Sequence, residues 1–262
     1  MTKCMKPKVR YFEKMEISLQ RYNFFLIYAK ICSIFSIFFA KVEIEALEGL
    51  EVLEKLEVLF QFGVGSWCAE ALVRTGLTHL TIVDGDTVQP SNINRQLPAI
   101  RSTIGLPKVE ALRERLLSIN PEAEITAIAE YYGQNGLAKE TAYDFHLSSF
   151  DFLIDAIDDV RAKTDLLLFA SHLRGLKIFS SMGAALRLDP TQITTGELMT
   201  VKGDALARAV RERMKRLNRK PYKKIRCVYS SEQAQKCDTR GSLMQVTAVF
   251  GCTLASMVIG NV

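Results

Sequence analysis

Between Ile82 and Gln96 the chain reads IVDGDTVQPSNINRQ, a set of side chains that few chemistries need together. An apolar run from His79 to Val83 leads into Asp84, so this carboxylate stands where a strand ends. Open α/β sheets bind ligands beyond the carboxyl ends of their strands. Asp84 also lies about 20 residues after Gly63 and Gly65, a spacing that suits an acidic grip on ribose hydroxyls. Asp86 can brace the same turn. Ser91 to Gln96 then packs a hydroxyl, the amides of Asn92 and Asn94, the Arg95 guanidinium and the Gln96 amide into one turn. Lys108 follows, directly behind Pro107 at a helix start, where a cation is disfavoured unless an anion sits beside it. A carboxylate for a sugar, then fixed donors and two cations for phosphates, describes a nucleoside triphosphate site.

A second cluster closes another apolar strand. Asp155 and Asp158 stand three positions apart in DAIDD, and hard carboxylate oxygens are the donors magnesium prefers. Capping of the next helix is the competing reading, and Asp159 suits it best.

These runs, with Pro107-Lys108-Val109-Glu110-Ala111-Leu112, resemble the ubiquitin-activating-type (ThiF/MoeB/HesA) adenylating superfamily, whose members carry D-x-D-x-V-x-x-S-N-x-N-R-Q and a D-x-x-D element. The resemblance implies ATP as cosubstrate and phosphate contacts from Asn92, Arg95, Gln96 and Lys108. It implies Mg2+ on Asp158, with Asp155 beside it. Further along, Asp189-Pro190-Thr191-Gln192-Ile193, Cys227-Val228-Tyr229-Ser230-Ser231-Glu232, Arg240-Gly241-Ser242 and Val246 to Gly251 resemble the tRNA threonylcarbamoyladenosine dehydratase family, over roughly residues 47–260. That family adenylates the threonylcarbamoyl carboxylate beside the anticodon of tRNA; internal capture then yields a cyclic product, AMP and pyrophosphate. Arg95, Lys108 and Asp158 would carry the catalysis, and a homodimer is implied. Cys237, flanked by Lys236 and Arg240, lies near the family's crossover-loop cysteine and reads as an accessory thiol before a nucleophile. The chain departs from the family at its glycine loop. Phe60 and Phe62 stand where a G-x-G-G-x-G sequence is the rule, leaving Gly63 and Gly65, so weakened ATP binding is expected.

Bulk properties agree with an α/β enzyme. The chain has 262 residues, of which 48% are hydrophobic, enough for a sizeable core. Its six cysteines include no C-x-x-C, which argues against a disulfide framework or a four-cysteine zinc site and for a reducing, cytoplasmic setting. The net charge is +5, yet Arg208 to Arg226 holds ten lysines and arginines against one glutamate. Arg208, Arg211, Lys215, Arg219 and Lys223 are candidate contacts to tRNA phosphates, with a solvated helix face as the alternative.

The positioning elements follow from periodicity. Strands are expected at Val58 to Phe62, His79 to Asp84, Ala123 to Ala129, Phe150 to Ala156 and Lys177 to Ser181. Helices are expected over Ser66 to Thr75, Pro107 to Ser118, Val160 to Leu173, 204–218 and 243–259. The alternation predicts a Rossmann-like, doubly wound, mainly parallel sheet. Ala185 to Leu188 and Gln192 to Thr195 are expected as an antiparallel extension. Residues 41–262 are expected to form the adenylating domain, preceded by an atypical basic and apolar extension over 1–40. Within it, residues 24–40 are apolar apart from Lys30 and two serines, against the ~20 residues of a membrane span. Membrane association, a buried hairpin or helix, and an atypical amino terminus remain alternatives.

Three rival functions stay open: activation of a ubiquitin-like or sulfur-carrier protein, a nicotinamide oxidoreductase resting on Gly63, Gly65 and Asp84, and a non-catalytic partner of the same fold.

Overall fold

Short β-branched runs alternating with amphipathic helices build a doubly wound sheet. The computed structural model describes residues 57–61, 64–132, 147–235 and 241–262, with backbone alone for 57–61. Gly63, Phe62, Cys237, the apolar stretch 24–40 and the side chain of Phe60 lie outside the described residues. The strands are β1 (Glu57–Gln61), β2 (His79–Val83), β3 (Glu124–Ile128), β4 (Phe152–Asp155), β5 (Lys177–Ser181), β6 (Ile193–Glu197) and β7 (Arg226–Ser230). They form one sheet in the order β3-β2-β1-β4-β5-β7-β6. Every pairing is parallel except that of β6 with β7. All four residues of β4 are buried, as expected for a central parallel strand covered on both faces.

The helices are α1 (Gly65–Arg74), α2 (Lys108–Ile119), α3 (Val160–Ala170), α4 (Ala205–Arg216) and α5 (Met244–Ile259). Their ends follow local chemistry. Gly76 has φ +104°; its amide bonds the Val73 carbonyl at 3.2 Å and that of Leu77 bonds the Leu72 carbonyl at 2.9 Å, the paired closure that favours glycine. Asn218, at φ 51°, closes α4 in the same way, with Arg219 bonded to Met214 at 3.0 Å. Asp159 caps α3 by accepting from the Ala162 amide at 2.7 Å, and Asp204 caps α4 through Ala207 at 2.8 Å.

Two expectations need correction. Ala185 to Leu188 is not a strand. Leu186 sits at φ 60°, and its backbone bonds Gly241 and Gln235, each at 2.8 Å, so its hydrogen bonds go to a loop. Arg226–Ser230, read as a motif rather than an element, is β7. It joins β5 to β6, and its partners are distant in sequence, so periodicity alone carried no sign of it. Among the described residues no helix is long and apolar enough to cross a membrane.

Helix α5 packs on α1 at a backbone approach that only glycine allows. A Cβ on Gly251 would lie 2.4 Å from Trp67 Cβ and 2.8 Å from the Cys68 amide nitrogen. Gly251→Ala is therefore expected to destabilise the protein by about 1–3 kcal/mol, an overpacking cost. Urea unfolding checks this, and an unchanged midpoint would show that the helices separate freely.

Candidate nucleotide-binding site

The strand order reverses between β1 and β4, so a crevice opens at their carboxyl ends. Four segments meet there: the start of α1, the turn after β2, the residues after β4 and the start of α2. Gly65 lies against Ala156, whose Cβ is 3.7 Å from where a glycine Cβ would stand. This places the amino end of α1 beside the D-A-I-D-D loop. Val64 precedes that helix without a side-chain cap, and no acidic residue occupies the first turn. A helix start of this kind suits an anionic ligand.

The turn after β2 is built around its aspartates. Asp84 accepts the Asp86 amide at 2.7 Å, while the Asp86 carboxylate takes Lys108 Nζ at 2.6 Å on one oxygen and the Tyr131 hydroxyl at 2.5 Å on the other. Lys108 is buried and its own amide bonds the Asp86 carbonyl at 3.0 Å. The anion that offsets a lysine at a helix start is therefore Asp86. Burial pushes the Asp84 carboxyl above the ordinary carboxylate range, and the charges of Asp86 and Asp158 add to this against the pull of Lys108. Partial burial also raises Asp86, but the bonds from Lys108 and Tyr131 outweigh it and hold its carboxyl low. Three carboxylates and one ammonium thus share one field, with an excess of negative charge.

The S-N-I-N-R-Q turn is held from outside as well as inside. Asn92 is buried and accepts the Gln89 amide at 2.9 Å. Arg95 is half-buried, and its Nη1 bonds the Ser91 carbonyl at 2.6 Å and Asn94 Oδ1 at 2.9 Å. Its carbonyl accepts Trp67 Nε1 and Thr247 Oγ1, both at 3.1 Å. Gln96 keeps a buried Oε1 with no protein donor. Trp67 and Thr247 are supports that residue spacing did not reveal, because they converge from α1 and α5. Tyr131 was missed too, although its place just past β3 puts it at the binding edge of the sheet.

Asp155 and Asp158 part company. Asp155 has no exposure: its Oδ2 takes Lys163 Nζ at 2.7 Å and Ser180 Oγ at 2.5 Å, and its Oδ1 takes the Ile157 amide at 3.0 Å. Both of its oxygens are engaged inside the protein, which corrects its reading as a metal ligand. Asp158 is exposed, with its charge felt at Asp84. Among the described residues, no three potential ligands converge on one point. One accessible carboxylate plus phosphate oxygens and waters is a usual magnesium environment, and Asp158 fits that role.

A model of the ThiF family matches residues 47–261. The chain belongs to the ThiF family. It is 42% identical over 155 residues to tRNA threonylcarbamoyladenosine dehydratase 2 of Saccharomyces cerevisiae, covering 59% of this chain and 34% of that protein. With the tRNA threonylcarbamoyladenosine dehydratase of Escherichia coli it shares 37% identity over 175 residues, 65% of this chain and 63% of that one. The crystal structure of the E. coli tRNA N6-threonylcarbamoyladenosine dehydratase in complex with ATP superposes with a TM-score of 0.74 at 31% identity, covering 82% of this chain and 88% of that chain. The chain thus spans about a third of the yeast relative's length and under two thirds of the E. coli relative's. Within this ThiF-family site Asp155 and Asp158 lead to opposite stability predictions. Lys163→Ala, which leaves Asp155 buried and unpaired, is expected to cost about 3–5 kcal/mol. Asp158→Ala should stay within about 0.5 kcal/mol. Denaturant unfolding of both variants decides; equal losses would contradict the division.

Proposed function

We propose that this chain is an ATP-dependent tRNA threonylcarbamoyladenosine dehydratase, with its adenylating domain over residues 41–262. The observation that carries the proposal is the meeting of Asp84, Asp86, Lys108 and Asp158 at one crevice, in a chain that matches dehydratases in sequence and fold. Asp84 suits the ribose hydroxyls. Lys108, steered by Asp86, and Arg95 suit the phosphate oxygens, as a compact ammonium and a planar fork. Mg2+ held by Asp158 would neutralise charge on the leaving pyrophosphate.

The reaction asks mainly for alignment and charge neutralisation. A carboxylate oxygen of the threonylcarbamoyl group attacks the α-phosphorus, and pyrophosphate departs with the electron pair of the broken P–O bond. A nucleophile within the same modified side chain then attacks the activated carbonyl and expels AMP. No protein nucleophile is required, so Cys237 has no obligatory part. Two copies of the chain form the working unit, as the resemblance implies.

The basic segment sorts into anchors and free charges. Arg211 Nη1 bonds the Leu198 carbonyl at 2.9 Å. Lys223 Nζ bonds the carbonyls of Leu173 and Leu176, and burial lowers its pKa. Lys223 is thereby tied to the fold, against its reading as a phosphate contact, while Arg211 is anchored through one nitrogen only. Arg208, Lys215 and Arg219 are exposed, and they are the proposed contacts to tRNA.

Asp158→Ala and Lys108→Ala are each expected to lower AMP formation about 100- to 1000-fold, the scale for removing one preorganised charged group. Labelled ATP with modified tRNA measures this, and wild-type turnover by either variant would remove that residue from the site. Binding of tRNA should weaken steeply with salt. Reversing Arg208, Lys215 and Arg219 to glutamate should flatten the log–log slope by roughly 0.7–0.9 for each phosphate no longer neutralised. A slope that does not change returns these cations to a solvated helix face.

A further inference from the structure

Tyr131 has no part in the adenylation chemistry, yet its hydroxyl bonds the carboxylate that holds Lys108. It follows β3 at the binding edge of the sheet and is 45% exposed, so burial of its ring is not what holds it there. The ring lies directly over Gly85. A Cβ at that glycine would stand 2.5–2.7 Å from three ring carbons, so the missing side chain makes the seat for the ring. From that seat the hydroxyl reaches Asp86 Oδ1 at 2.5 Å, while Oδ2 of the same carboxylate holds Lys108 Nζ at 2.6 Å. The Asp86 carboxylate raises the Tyr131 phenol to about 12, so the hydroxyl keeps its proton near neutral pH.

We propose that Tyr131 is a positioning residue that aims Lys108 at the triphosphate by fixing the Asp86 carboxylate. An ammonium has three N–H donors. With Oδ1 taken by tyrosine, Asp86 offers Lys108 one oxygen only, and two donors stay available to phosphate. Without the hydroxyl, Asp86 is free to rotate and its second oxygen competes with phosphate for the same donors. The inference rests on the nucleotide reading of the site, because it concerns how that site is tuned.

The test uses the full chain and compares ATP with AMP, which lacks the phosphates Lys108 would hold. Tyr131→Phe keeps the ring over Gly85 and removes only the hydroxyl. By calorimetry this variant is expected to bind ATP about fivefold more weakly, the scale of one hydrogen bond, and to bind AMP as the wild type does. KM for ATP should rise in step, with kcat at saturating ATP unchanged. In a Lys108→Ala background the tyrosine change should have no further effect, the signature of a shared pathway. The inference is overturned if Tyr131→Phe binds ATP normally, if ATP and AMP weaken alike, or if the loss persists without Lys108. A wild-type chain that binds neither nucleotide would overturn the nucleotide reading itself, and this inference with it.

Discussion

An ion pair closed off from water holds the edge of the sheet on which the site is built. Asp155 and Lys163 are both without exposure and lie 2.7 Å apart. Ser180 donates to the same carboxylate, and Lys163 also donates to the Ile157 carbonyl at 2.9 Å. These bonds tie the end of β4 to β5 and to the first turn of α3. Charges removed from water are tolerated only with full pairing and hydrogen bonding, and full pairing is what leaves one geometry for the loop between Asp155 and Asp159. Asp158 is exposed because the residues on either side of it are committed: Asp155 to the interior and Asp159 to the cap of α3.

The turn after β2 works by the same logic at lower cost, since its two aspartates are only partly buried. Asp84, Asp86 and Lys108 brace one another through backbone and side-chain bonds. Their shared field is negative overall, with Asp84 raised by burial and by neighbouring carboxylates. An excess of carboxylate at the mouth of a crevice, beside uncapped helix amides, suits a polyanion that arrives with a divalent cation better than a bare anion.

Supports for the S-N-I-N-R-Q turn come from elements far apart in the chain. The Arg95 carbonyl is gripped by Trp67 from α1 and Thr247 from α5, two helices that meet closely at Gly251. Packing of α5 on α1 therefore bears on the position of Arg95. A change in the core at Gly251 should be felt at the site as well as in stability.

Much of this was legible from the amino-acid order, because it is local chemistry. The alternation of short apolar strands with amphipathic helices determined the doubly wound sheet. Gly76 and Asp159 marked helix ends through their own backbone and side-chain preferences, and the aspartates after β2 and β4 were placed at strand ends by the runs before them. Only the tertiary structure decided which of Asp155 and Asp158 faces solvent, since that depends on Lys163 and Ser180 reaching one of them. It also decided that Arg211 and Lys223 bond carbonyls of the fold, that Arg226–Ser230 is a strand, and that Tyr131 meets Asp86. Each of these rests on partners brought together across the sheet, and residue spacing along a chain does not encode which distant group will arrive.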